Sequence, residues 1–160
     1  MKRTSASRER SDSYLRLWLR LLKCSNTIES RVRARLREEF ETTLPRFDML
    51  AQLDAVGDAG LTMGELSRRL MVTNGNLTGL TERLVKERLV TRNALPHDRR
   101  SQRVRLTSSG RKAWEKMAES HRAWIETMFA GVKDGDVEQL YKLVGRLRDS
   151  VQGSAKKRTA

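Results

Sequence analysis

The chain has 160 residues, of which 38% are hydrophobic and 5% aromatic. That length allows one domain with long helical extensions but excludes two full domains. Lys and Arg number 33 against 20 Asp and Glu, so the formal net charge is +13 at pH 7. Such an excess attracts polyanions and favours nucleic acid as the partner, the alternative being a basic protein whose charge only keeps it dispersed. No stretch of about 18 apolar residues exists, so no membrane span is expected.

The N-terminal part is predicted to form one long helix. Residues 1–10 are polar and basic and are expected to be a mobile tail. Ser11 or Asp12 is suited to cap a helix that continues to about Phe40. Apolar residues recur at every third or fourth position of this helix and predict one buried stripe: Tyr14, Leu17, Leu21, Cys24, Ile28, Val32 and Leu36.

A second helix is predicted to start after Thr43, where Pro45 suits a first turn, and to end at Gly57 and Gly60. Its inner face is expected to be Phe47, Leu50, Leu53 and Val56. A β-bridge at residues 61–63 follows.

A helix-turn-helix is predicted next. A short helix with Leu66 and Leu70 on its inner face precedes a tight turn at residues 71–73. The turn leads into a helix of about 14 residues, and this spacing is typical of the motif. Its inward residues are expected to be Leu77, Leu80 and Leu84, with Thr81 and Val85 as further candidates.

Residues 90–95 and 102–107 alternate loosely between apolar and polar, as half-exposed strands do. The loop between them, residues 96–101, is rich in turn formers and arginine. Together these segments predict a β-hairpin with arginines at its tip, called the wing below.

Two further helices are predicted. Ser108 or Ser109 is expected to cap the first, whose inward residues are Trp114, Met117, His121, Trp124, Ile125 and Met128. After the break at residues 131–135, the last helix carries apolar residues spaced alternately by three and four, like a coiled-coil seam: Val137, Leu140, Val144, Leu147 and Val151. Such a narrow stripe on a charged helix predicts a partner helix, and a second copy of the chain is the simplest one. Residues 153–160 are expected to be a mobile basic tail.

The segments LTMGELSRRLMVTNGNLTGLTERLVKERLVTR and PHDRRSQRVRLTSSG together resemble the DNA-binding core of the MarR (multiple antibiotic resistance regulator) family. The sharpest match is to the family's wing signature: Asp98, Arg99, Arg100, Val104, Leu106, Thr107 and Gly110. The resemblance covers about residues 12–151 and is specific over 61–110. One departure is Arg88, where such proteins usually carry glycine. Either Arg88 adopts the left-handed conformation at a cost of about 1 kcal/mol or the helix ends differently.

The resemblance implies binding to duplex DNA through the wing and the second helix of the motif. An arginine in a narrow minor groove meets concentrated negative potential, and a carboxylate two residues earlier can orient it. These roles fall to Arg100 and Asp98, unless the two only hold the hairpin turn. The candidate DNA-binding residues are Arg68, Arg69, Thr73, Asn74, Asn76, Thr78, Arg83, Asp98, Arg99, Arg100 and Arg103. Helix capping is the alternative role of Thr73 and Asn74, and a solvated basic face is that of the arginines on the two helices.

The resemblance also implies a small-molecule effector between the dimerisation helices and the DNA-binding lobe. The candidate residues are Trp18, Ile28, Arg31, Arg33, Phe47 and His121. Guanidinium groups along residues 31–37 would border an apolar groove and hold an aromatic carboxylate or the phosphates of an acyl-CoA. This segment and the following TLPRFDML resemble a branch of the family that responds to aromatic acyl-CoA thioesters. The alternative is a solvated helix with the pairs Glu29–Arg33, Arg35–Glu39 and Arg37–Glu41.

Two other functions were weighed against a ligand-released repressor. Some relatives sense peroxides through an N-terminal cysteine, but Cys24 lies on the apolar stripe, where a buried thiol is inert. A winged-helix module that binds a protein would use its basic face only for solubility. The common nucleotide-binding, zinc-protease and serine-hydrolase motifs are missing from the sequence, so no enzyme, cofactor or metal is expected.

The sequence therefore predicts a mainly α fold with a small β-wing. The expected division is a basic tail at 1–10, a dimerisation and effector helix at 11–44, a winged helix-turn-helix lobe at 45–110, dimerisation helices at 111–152 and a basic tail at 153–160. The expected protein is a homodimeric regulator in the bacterial cytoplasm that binds an inverted-repeat operator in the nucleoid, with aromatic catabolism as the regulated process.

Overall fold

The computed structural model describes residues 5–95 and 98–156, with side chains for 9–73, 75–94 and 102–153. Within these residues the elements are α1 (Ser5–Phe40), α2 (Leu44–Asp54), β1 (Leu61–Thr62), α3 (Met63–Leu70), α4 (Asn74–Lys86), β2 (Val90–Leu95), β3 (Asp98–Leu106), α5 (Ser108–Phe129) and α6 (Asp134–Lys156). A 3-10 turn at Gly57–Ala59 joins α2 to β1. The predicted mainly α fold with a small β-wing is confirmed. No helix in the described part of the chain is long and apolar enough to cross a membrane.

Helix α1 starts earlier than predicted. It begins at Ser5, so the predicted start at Ser11 or Asp12 is wrong and the helix extends into the segment predicted as a tail. The segment SASRERSD contains no glycine or proline, and its alanine, arginines and glutamate are good helix formers. Helix α6 likewise continues through Gly153 to Lys156, inside the predicted C-terminal tail.

The predicted stripe of α1 is only partly buried. Val32 and Leu36 are buried, whereas Tyr14 and Leu17 are 66% and 49% exposed in the single chain. Cys24 is also exposed, so its prediction as a buried thiol is wrong for the single chain. Periodicity shows which residues share a helix face, but it does not show what covers that face.

The core of the winged helix-turn-helix lobe lies between α2, α3, α4 and the sheet. Its buried residues are Phe47, Met49, Leu50, Leu53, Leu61, Leu66, Leu77, Leu84, Val90 and Val104. Thr81 is fully buried as well. The interior tolerates its hydroxyl because the hydroxyl donates to the Leu77 carbonyl at 2.8 Å. Val85, a candidate inward residue, is 38% exposed.

The sheet has the order β1-β3-β2, and both pairings are antiparallel. Strand β3 starts at Asp98, four residues earlier than predicted, and Leu95 pairs with Asp98 after an irregularity between Ala94 and Leu95. The wing signature Asp98–Arg100 therefore belongs to a strand rather than to the loop predicted at 96–101.

The turn after α4 is tied to the start of α5. Arg88 adopts the left-handed conformation (φ 58°), the first of the two alternatives at this departure from the family pattern. The Thr107 hydroxyl donates to the Arg88 carbonyl at 2.7 Å, and the Thr107 N–H donates to the Leu89 carbonyl at 3.1 Å. The same hydroxyl accepts from the Gly110 N–H at 2.9 Å, so Thr107 caps α5 in place of the predicted Ser108 or Ser109.

Gly110 is buried against this turn. A Cβ on Gly110 would lie 1.9 Å from the Leu89 carbonyl oxygen and 2.8 Å from its carbon. Backbone atoms cannot yield as a flexible side chain can, so only glycine fits there. The structure thereby gives Thr107 and Gly110 of the wing signature a structural role.

We expect Gly110→Ala to destabilise the fold, because the methyl group must displace the Leu89 carbonyl. The expected loss is about 2–3 kcal/mol, or roughly 5–10 °C in Tm. Thermal unfolding followed by circular dichroism measures it. Gly64→Ala is the matched control, since Gly64 is exposed in α3, a Cβ there meets nothing within 4 Å, and alanine favours the helix. Equal Tm values for the two variants would contradict this account.

Candidate nucleic-acid interface

The first helix of the helix-turn-helix is fixed by a capping box. The Thr62 N–H donates to Glu65 Oε2 at 2.7 Å, and the Glu65 N–H donates to Thr62 Oγ1 at 3.3 Å. Hydrogen bonds from the Thr62 backbone and side chain lower the pKa of Glu65, so the carboxylate form is favoured in the folded chain. This contribution to stability is present at neutral pH and is lost as the pH falls through the folded pKa.

The recognition helix α4 starts with the predicted cap. Thr73 has extended backbone angles, and its hydroxyl accepts from the Asn76 N–H at 3.5 Å. Asn74 is the first residue of the helix, but its side chain lies outside the described residues. Thr73 therefore does cap the helix, the alternative to a base contact.

One face of α4 is buried and the other is available to a partner. Leu77 and Leu84 are fully buried. Asn76 and Arg83 are exposed and lie seven residues apart, which places them on one face two turns from each other. Thr78 is half-buried. Asn76 and Arg83 thus share an outward face, with the amide toward the N-terminal end and the guanidinium toward the C-terminal end.

The two arginines at the end of α3 are exposed. Arg69 donates to the Gln52 side chain at 3.4 Å, whereas Arg68 makes no ion pair within the described residues. Cations in a last helical turn are favoured by the helix dipole, and both remain available to phosphates.

The side chains of Asp98, Arg99 and Arg100 lie outside the described residues, so the predicted orientation of Arg100 by Asp98 stays a prediction. The next arginine of the wing is described. Arg103 Nη1 donates to the carbonyls of Ala59 and Gly60 at 2.8 and 3.5 Å. Its guanidinium holds the turn before β1, a contact that a phosphate-binding role does not require.

Two further arginines hold the same turn, and sequence reasoning missed both. Arg105 Nε donates to the Asp58 carbonyl at 2.8 Å, and Arg111 pairs with Asp54 at 3.2 Å and with Asp58 at 3.3 Å. Gly60 allows the close approach, because its φ is 63° and a Cβ would lie 2.5 Å from Arg105 Cγ. The strand pattern gave no signal of these contacts, which join residues more than 40 positions apart.

The candidate effector residues fall into two groups. The Phe47 ring lies 4.9 Å from Trp114 and 5.0 Å from His121, centroid to centroid, and these three residues form the aromatic cluster. Burial lowers the pKa of His121, so its ring is neutral at pH 7. Trp18 is 56% exposed on α1, and Ile28 is half-buried. Trp114, predicted as core, thus joins two effector candidates.

The two candidate arginines of α1 differ in their surroundings. Arg33 Nε donates to Glu29 at 2.9 Å, whereas Arg31 is exposed and makes no ion pair within the described residues. Burial raises the pKa of nearby Asp48, and the Arg33 charge opposes the rise. The Arg33 charge is therefore shared between the carboxyl groups of Glu29 and Asp48, whereas Arg31 has no such partner in the part of the chain that is described.

The predicted ion pairs of α1 are formed in two of three cases. Arg33 pairs with Glu29, and Arg35 pairs with Glu39 at 3.0 Å. The third, Arg37–Glu41, is missing among the described residues, because Glu41 lies beyond the helix end with φ 50°.

The seam predicted on α6 is exposed in the single chain. Val137, Leu140, Val144, Leu147 and Val151 are 39%, 50%, 46%, 39% and 63% exposed. Three of these residues, Val137, Leu140 and Val144, line a groove of about 970 Å³ together with Phe129 and Tyr141.

Residues 41–101 match the family model of the MarR family. The transcriptional activatory protein BadR of Rhodopseudomonas palustris is 31% identical over 139 residues, which cover 86% of this chain and 79% of that protein. The transcriptional repressor YetL of Bacillus subtilis is 28% identical over 102 residues, or 64% of this chain and 61% of that protein.

A solved MarR family transcriptional regulator from Silicibacter pomeroyi is 30% identical, with a TM-score of 0.75 over 89% of this chain and 97% of that one. Sco3205 of Streptomyces coelicolor, solved in complex with DNA, has the same fold. Its TM-score is 0.75 at 20% identity, covering 96% of this chain and 91% of that one.

Proposed function

Because this chain belongs to the MarR family of DNA-binding transcription regulators, which are not enzymes, we propose that it acts as a homodimeric repressor on an inverted-repeat operator. A small aromatic effector, an aromatic acid or its CoA thioester, releases it. The observation that carries the proposal is the outward face of α4, where Asn76 and Arg83 are exposed opposite a fully buried Leu77 and Leu84. In a chain of net charge +13, such a face suits the major groove.

The dimer is supported by apolar surface that a single chain leaves exposed. The α6 seam exposes five aliphatic side chains, and α1 exposes Leu15, Trp18, Leu19 and Leu22, which share one helix face by their spacing of three and four. Apolar residues gathered on one face indicate a protein partner. A two-fold dimer would also present two recognition helices to half-sites about one helical turn of DNA apart.

Repression requires only that the dimer cover promoter DNA, whereas activation needs a further contact with the transcription machinery. The similarity to an activatory protein, BadR, makes activation the second candidate. In vitro transcription from a promoter with the bound operator separates the two, because a repressor lowers the transcript level and an activator raises it.

The effector proposal is supported by two features of the chain: the aromatic cluster and a cation on α1. Trp114 and the neutral His121 are half-buried and offer ring faces to an aromatic group, with the buried Phe47 ring packed behind them. Arg31 offers an uncompensated cation to a carboxylate or phosphate, whereas Arg33 is shared with Glu29. The rival role, redox sensing through Cys24, is favoured only by the exposure of that thiol.

We expect the wild-type protein to enrich one inverted repeat from a random duplex library. Arg100→Ala should weaken binding to it by about tenfold or more, since a good groove contact is worth roughly 1–3 kcal/mol. Asn76→Ala should relax the preference at one base pair instead. Fluorescence anisotropy at fixed salt measures both.

Arg35→Ala is the control for Arg100→Ala, because it removes the same charge from an exposed position of α1. Undiminished affinity of Arg100→Ala would rule out the wing as a groove contact. A library from which nothing is enriched would rule out sequence-specific binding.

We expect Leu140→Asp to raise the dimer dissociation constant at least ~30-fold, because a central contact of an interface is worth about 2 kcal/mol or more. Sedimentation equilibrium measures the change. Gln139→Asp adds the same charge beside the seam and should leave the dimer intact. A Leu140→Asp dimer as tight as the wild type would move the interface away from α6.

We expect an aromatic acyl-CoA such as benzoyl-CoA to raise the Tm by about 5–10 °C at 100 times its Kd. The double variant Arg31→Gln/Arg33→Gln should lose most of this shift, because the phosphates lose their cations. Benzoate and free CoA show which half of the ligand is bound. Equal shifts for the wild type and the double variant would disprove the role of these arginines. Arg10→Gln/Arg16→Gln, which removes the same two charges from exposed positions of α1 outside residues 31–37, controls for net charge.

A further inference from the structure

The C-terminal turn of the recognition helix, residues 87–89, is held by two other helices. Glu87 forms an ion pair with Arg46 of α2. The Arg88 and Leu89 carbonyls accept hydrogen bonds from Thr107 at the start of α5. The attachment to α5 is made by Thr107 alone, which donates to backbone carbonyls of the turn, whereas the attachment to α2 joins two charged side chains.

The charges of this ion pair stand at helix ends that disfavour them. Arg46 lies in the first turn of α2, where the helix dipole is positive, and Glu87 caps the C-terminus of α4, where the dipole is negative. Neither charge is favoured by its own helix. Exchanging the two residues would improve both helix ends, so helix stability does not account for the arrangement.

Burial adds to the cost of placing Arg46 there. Its side chain is only 19% exposed, and its Nε atom is buried without a hydrogen-bond partner in the described part of the chain. Partial desolvation of a guanidinium whose Nε lacks a partner costs free energy, so stability alone does not explain why Arg46 stands there.

We propose that Arg46 and Glu87 are positioning residues for DNA recognition, which set the angle of α4 through its C-terminal turn. This rests on the proposed binding to an operator. Helix α4 has 13 residues, so a rotation of about 10° at this turn would displace the Asn76 end by roughly 3 Å. A displacement of that size removes hydrogen bonds to base edges but leaves long, flexible arginines within reach of phosphates.

The test uses the fact that electrostatics alone predicts the opposite result. Glu87→Gln makes the protein more positive, so a pure charge effect would tighten binding to every duplex. The positioning role predicts a roughly three- to thirtyfold loss of affinity for the operator enriched by the wild-type protein, with undiminished affinity for a random duplex of equal length. The ratio of the two dissociation constants is therefore the readout.

The charge exchange Arg46→Glu/Glu87→Arg provides the rescue. Each single substitution should lower the operator-to-random ratio, and the double variant, which keeps the net charge, should recover it. The matched control is Arg35→Glu/Glu39→Arg with its single variants, an exposed pair within α1 whose substitutions should leave the ratio unchanged. Tm values within about 5 °C of the wild type for the Glu87→Gln variant exclude unfolding as the cause, because one ion pair is worth little to the fold.

An operator-to-random ratio equal to the wild type in Glu87→Gln would overturn the positioning role, as would a double variant no better than its single variants. A wild-type protein that enriches no operator would instead overturn the proposed function. The two failures are thus distinguishable.

Discussion

The approach of the Gly110 backbone to the Leu89 carbonyl, with Thr107 bonded to both sides of the contact, is the constraint on which the DNA-binding lobe depends. It joins the end of the recognition helix, the start of β2 and the start of α5 in one place. The left-handed Arg88 completes the turn without the glycine usual at this position in the family. The turn that ends α4 is therefore fixed by backbone contacts with the start of α5.

Some arginines of this lobe hold the fold together, whereas others are exposed and available to DNA. Arg103, Arg105 and Arg111 hold the turn between α2 and β1, donating to carbonyls or pairing with Asp54 and Asp58. Arginines with five donors each are suited to bridge backbone segments that have few apolar side chains to pack. The strong positive charge of the chain is thus not only an attraction for DNA, since part of it supports the base of the wing.

Helices α2 and α5 connect the two candidate sites. They carry the aromatic cluster, and the same helices hold the turn after α4 through Arg46 and Thr107. A change in the distance between α2 and α5 would therefore move the turn that ends α4, through the Arg46–Glu87 ion pair and the Thr107 hydrogen bonds.

Much of the fold was determined by the sequence alone. Apolar spacing located the helix-turn-helix and both wing strands, since local periodicity reports which face of an element is buried. The signature at residues 98–110 indicated the family and its DNA-binding function. Sequence offered Thr73 or Asn74 as the cap of α4 and predicted the apolar seam of α6, because each depends on residues within a single helix.

Only the tertiary structure decided what covers each face and which distant residues meet. It showed that Tyr14, Leu17 and Cys24 are exposed, although they continue the stripe of Val32 and Leu36. It paired Arg46 with Glu87 and brought the wing arginines to the turn before β1, contacts across about 40 or more residues. Such contacts depend on how the chain folds back on itself, and no local pattern encodes that. Sequence thus determined the helices, the strands and the chemistry of their side chains. Packing decided which charged residues contact the recognition helix and which remain exposed to DNA.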